Sequence, residues 1–91
     1  MLEKISDNRY KLSNAYFSIS EDVDIVNQNL YKNKLFIPKI YPTLDSDDFC
    51  IIGLIYTFDN NGNRIDSTLL KAIPENIADK RMIEVYFGSL L

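Results

Sequence analysis

The chain has 91 residues, 46% of them hydrophobic and 25% charged, which predicts one globular domain over residues 1–91 and is too apolar for disorder. Ten Lys and Arg against thirteen Asp and Glu give a net charge of −3, which argues against a nucleic-acid binder held by phosphate neutralisation. The chain has no His and a single Cys, Cys50, so imidazole catalysis, the usual zinc sites and an internal disulfide are excluded.

Residues 1–8 are mixed and weakly periodic and read as a frayed end. Arg9–Leu12 and Ala15–Ser20 alternate polar and apolar side chains on either side of the turn signal Ser13-Asn14, which predicts two short strands or one bent strand with a bulge at Ser13-Asn14. Ser20 then stands where a helix N-cap is expected, and an equally valid frame uses Ser18 as the cap with Glu21 completing a capping box. Glu21, Asp22 and Asp24 put negative charge at the end the helix dipole favours, and Lys32 and Lys34 put positive charge at the other. Val23, Val26 and Leu30 recur at helical spacing, and Asn33 suits a left-handed terminator. Residues 21–32 are therefore predicted as the main helix.

Lys34–Tyr41 predicts an edge strand, because Pro38 lacks a ladder donor and Lys39 discourages edge-to-edge pairing. Thr43–Asp48 reads as an acidic loop. The run Phe49–Phe58 is apolar at both parities: Cys50, Ile52, Leu54, Tyr56 and Phe58 on one side, Phe49, Ile51 and Ile55 on the other. Such a strand belongs inside a sheet with both faces covered. The turn Asp59–Arg64, with Gly62 left-handed, returns the chain into a strand from Ile65 to about Ile73. The stretch from Pro74 to Arg81 predicts one helical turn with Pro74 near its first position. Met82–Phe87 alternates and predicts a final, half-buried strand. Leu90 and Leu91 are apolar and predict docking on the core or in an interface.

The fold class that follows is α+β: an antiparallel sheet of four to five strands with one main helix, residues 21–32, packed on one face. That helix covers one side of the interior strand. A homodimer through the sheet or its edge would cover the other.

The three glycines stand alone at Gly53, Gly62 and Gly88, so no phosphate loop is present. Asp59–Arg64 places Gly fourth and Arg sixth, which departs from a calcium loop, and neither metal nor cofactor is expected. The opening Met1–Asp7 has no basic region leading into an apolar segment, and the longest apolar run is about ten residues. No leader and no membrane span are expected, and the expected location is cytoplasmic.

What remains is a non-enzymatic binding protein. Asp22 and Asp24 on the predicted helix, with Asp45, Asp47 and Asp48 on the loop, offer a negative surface suited to a basic groove on another protein. Tyr31, Phe36 and Tyr41, interleaved with Lys32, Lys34 and Lys39, add candidate contact residues. The expected function is that of an inhibitor, an immunity-type protein or a phage–host interaction factor that occupies a partner's surface. The alternatives are a self-associating structural subunit and a small-ligand binder using the Tyr-rich sheet.

Overall fold

The computed structural model describes residues 1–27 and 29–91. Among them, six strands form one curled antiparallel sheet: β1 (Leu2–Lys4), β2 (Arg9–Leu12), β3 (Ala15–Ile19), β4 (Lys34–Tyr41), β5 (Cys50–Phe58) and β6 (Arg64–Pro74). Their order is β1-β2-β3-β6-β5-β4. A 3-10 turn at Ile77–Asp79 leads into one helix, α1 (Lys80–Gly88), which packs against β4 and β5. The class is α+β. The sheet has six strands where the sequence predicts four to five: Leu2–Lys4 pairs with β2 instead of fraying, and Arg9–Ile19 forms two strands, while the strand predicted at Met82–Phe87 is a helix.

β5 lies between β4 and β6, as its composition requires. The long hairpin β5–β6 closes at Asp59, whose carboxylate accepts from the amides of Asn61 and Asn63, each at 2.9 Å. Gly62 takes the left-handed φ of 83°. β4 is an edge strand, and its register slips between Pro38 and Tyr41.

The alternation along β5 is broken once. Its pairing steps from Ile51↔Lys71 to Gly53↔Leu70, so Ile52 is an additional residue. This bulge puts Ile55 on the same side as Cys50 and Ile52, all three fully buried. Leu54 and Tyr56 turn to the other side, against the uniform alternation expected. Gly53 is needed there because a Cβ would overlap the Ile37 carbonyl oxygen and stand 2.5 Å from Phe36 Cε1.

Residues 21–32 are not a helix; within that span, Gln28 lies outside the described residues. Burial alternates, with Val23 and Ile25 inside and Asp24 and Val26 further out, which is a period of two. Asp24 Oδ1 accepts from the amides of Val26 (2.9 Å) and Asn27 (3.1 Å), a local turn that competes with helical bonding. The Tyr10 hydroxyl donates to the Val23 carbonyl at 3.1 Å and ties the segment to the core. β-branched Val23, Ile25 and Val26, together with Asn27 and Asn29, give the stretch little intrinsic helical preference. Tertiary burial of two side chains then decides its course.

The helix lies instead where a strand is expected. Ile83 and Phe87 are fully buried, whereas Val85 between them is 56% exposed. Positions four apart satisfy both a period of 2 and a period near 3.6, so this short segment reads either way. Asn76 Oδ1 caps the preceding turn by accepting from the Ala78 amide at 3.1 Å. Pro74 ends β6 rather than starting a helix.

Phe87 is the centre of the core. Its ring meets Phe17 at 6.2 Å, Phe36 at 6.0 Å and Tyr86 at 5.1 Å, all edge to face, and Phe17 stacks on Tyr10 at 5.9 Å. Leu90 helps line a depression with Met1, Leu2, Ile25, Val26 and Tyr86, while Leu91 is 73% exposed.

Candidate binding surface

The acidic residues singled out in the sequence lie near opposite ends of α1. At the C-terminal end, Ile25 and Val26 sit beside Tyr86 and Leu90, with Asp22 and Asp24 just before them in the chain. At the N-terminal end, Thr43 and Asp45 share a depression of about 490 Å³ with Lys80, Arg81 and Glu84. Among the described residues, no hydrogen bond or ion pair joins the two groups.

Most of these acids have local work. Asp22 pairs with Lys32, whose hydrogen bond holds its carboxyl below the usual range against the opposing effect of burial. Burial opposes the charge of Asp24 as well, but hydrogen bonds from Asn27 and Val26 outweigh it and hold that carboxyl low too. Asp47 Oδ2 accepts from the Leu44 amide at 2.9 Å. Lys80, almost wholly buried, donates to the carbonyls of Leu44 (2.7 Å) and Asp47 (3.1 Å) and fastens this loop to α1. Asp45 and Asp48 are exposed.

The aromatic candidates separate in the same way. Phe36 is a core residue at 4% exposure and is not available for contact. The ammonium groups of Lys4 (5.2 Å) and Lys32 (5.3 Å) both approach the Tyr31 ring. Tyr41 lies on a surface that sequence reasoning did not assemble.

That surface is the face of the sheet turned away from α1. Residues paired directly across an antiparallel ladder share a face. The register therefore sets three rows across β4, β5 and β6: Tyr41·Ile51·Lys71, Ile37·Leu54·Leu69, and Leu35·Tyr56·Ser67. Ile37, Leu54, Leu35 and Ile51 are only partly buried, and Leu69 is 45% exposed. No element among the described residues lies over them. Where Leu35 meets Phe58, Leu30 and the 59–62 turn, the face ends in a mostly apolar depression of about 420 Å³.

Cations ring this apolar centre, each laid over an aromatic ring. Lys71 Nζ is 4.4 Å from the Phe49 centroid, Arg64 Cζ 4.6 Å from Tyr56, and Lys39 Nζ 5.1 Å from Tyr41. Further along, Arg9 (4.4 Å) and Lys11 (5.6 Å) share Tyr16. Arg9 also forms a two-pronged pair with Glu75, its Nε at 2.6 Å and its terminal nitrogen at 3.1 Å. Glu3, across the ladder from Lys11, is the other acid on this side. The remaining eleven of the thirteen acids lie in loops, in the 3-10 turn and α1, or, for Asp66, at a helix-side position of β6. A molecule of net charge −3 thus shows one basic face.

The sequence carried a partial signal for this surface. β5 is apolar at both parities, and β6 alternates Leu69 and Lys71 with the buried Leu70 and Ala72. Only the register brings Arg64, Lys71 and Lys39 to the same side.

Among the described residues, no three of the Cys, Asp and Glu side chains cluster into a metal-holding group, and no helix is long and apolar enough to cross a membrane. Burial pushes the Cys50 thiol up to about 12, which keeps it protonated and unreactive. No protein-family model, curated protein or solved structure matches the chain.

Proposed function

We propose that this protein is a non-enzymatic module that acts by binding another protein in the cytoplasm, and that its contact surface is the open face of β4, β5 and β6. The observation that carries this reading is the Ile37·Leu54·Leu69 row, apolar across three strands with no layer above it among the described residues. An apolar centre bordered by aromatic and charged side chains is the usual anatomy of a protein contact. The scarcity of catalytic groups supports it too: there is no His, and the one thiol is buried. A module of this size suits an inhibitor, an immunity-type neutraliser or a phage–host interaction factor. The acid-bearing loops at the two ends of α1 are secondary candidates, since most of their carboxylates serve turns and ion pairs.

Affinity capture from the cells that make the protein, run with the wild type and with Leu69→Asp, tests this reading. Leu69 is exposed enough to accept the change without unfolding the chain. A stoichiometric foreign protein lost with Leu69→Asp is the expected result. Recovery of copies of the chain alone, or capture indifferent to the substitution, would overturn it.

A further inference from the structure

Resting on that reading, we propose that the partner is acidic: a protein segment whose apolar side chains cover Leu54 and Leu69 while flanking Asp or Glu side chains meet the rim of cations. Two features of the surface lead to this chemistry. First, the centre is aliphatic, set by Ile37, Leu54 and Leu69, so the occupant must bring apolar side chains of its own. Second, Lys11, Lys39, Arg64 and Lys71 have no carboxylate within ion-pair distance among the described residues; only Arg9 on this side is paired, with Glu75. Each of the four is already held over an aromatic ring. An arriving carboxylate therefore meets a positioned cation, and less side-chain freedom remains to be lost on binding.

The same features count against other occupants. Two copies set face to face would oppose five cations to five, with Glu3, Glu75 and, at the end of the face, Asp59 on each to offset them, and like charges across an interface are costly. A single-stranded nucleic acid needs open ring faces for its bases. Here the rings of Phe49, Tyr56 and Tyr41 carry cations, and the centre between them is aliphatic.

The test selects a phage-displayed library of random peptides on the whole protein at low salt, then measures the enriched peptides by titration calorimetry. The expected sequences place Asp or Glu beside Leu, Ile or Phe. Their affinity should fall with added salt and drop at least roughly tenfold in the triple variant Lys39→Glu/Arg64→Glu/Lys71→Glu, with a charge reversal at the exposed Asp7, Asp7→Lys, as an unchanged control. The three cations are exposed and circular dichroism checks the fold. Lys71→Glu alone, expected to weaken binding severalfold, serves if the triple variant is not folded. Neutral apolar peptides that the charge variants still bind, but Leu69→Asp does not, would overturn the acidic partner and leave the binding face standing. Peptides indifferent to Leu69→Asp would overturn both. Oligothymidylate binding tighter than any selected peptide, or a dimer in sedimentation abolished by Leu69→Asp, would also overturn the proposal.

Discussion

On the helix side of β5, Cys50, Ile52 and Ile55 are fully buried under α1 and the segment that carries Val23 and Ile25. On the other side Ile51, Leu54 and Tyr56 stay partly exposed, and cations rather than a second layer border them. The nine residues of β5 are apolar at both parities, so side-chain character does not set this difference. The supply of chain does: one nine-residue helix and one irregular segment suffice for a single face. A strand suited to burial on two sides is thereby left half covered. The contrast is why the open face, rather than the acids, is read as the working surface.

The comparison breaks most readily from the covered side. Phe87→Ala removes the ring that meets Phe17, Phe36 and Tyr86, and should cost about 3–5 kcal/mol. That rivals the roughly 5 kcal/mol expected for a domain of this length, so urea titration should find the variant largely unfolded in buffer. Gly53→Ala comes next. Its methyl has no room against Ile37 and Phe36, and a loss of about 1–3 kcal/mol is expected, again by urea titration. A near-neutral result would show that β4 and β5 are less tightly joined at the bulge than described.

Acid sensitivity sharpens the picture at the loop. Lys32 holds the Asp22 carboxyl low in the folded protein. A carboxylate depressed in this way contributes stability that is complete above about pH 4 and is lost as pH falls through its folded value. Asp22→Asn should therefore be less stable than wild type near neutrality, with the gap closing in thermal melts taken below about pH 4. A gap independent of pH would remove the ion pair from the account. The smallest effect belongs to the open face: Leu69→Ser should change stability by no more than about 0.5 kcal/mol while weakening any ligand bound there. A large stability loss instead would mean that Leu69 is covered in solution.

The candidate surface was less legible than the fold. Tyr41 is visible as a contact residue, but Phe36, five residues earlier in the same run and so on the opposite face, is a core ring. Leu69 and Lys71 carry no signal of their own, because a return strand alternating between apolar and polar looks like ordinary sheet until its neighbours are known. The acids stand out because they cluster in sequence. In space they sit near opposite ends of α1, beside Lys32 in one case and Lys80 and Arg81 in the other.

By itself the sequence determined the local pieces: the β2–β3 and β5–β6 hairpins, the interior place of β5 and the edge place of β4 with its Pro38. These follow from turn residues and alternation, which act between near neighbours in the chain. Tertiary structure alone decided that residues 21–27 run as a tethered loop, that Lys80–Gly88 coils, and that a bulge at Ile52 exchanges the sides of Leu54 and Ile55. It also decided that five cations share one face. Each of these turns on which distant segment offers cover or a ladder partner, and an ambiguous local pattern yields to whichever arrangement buries more.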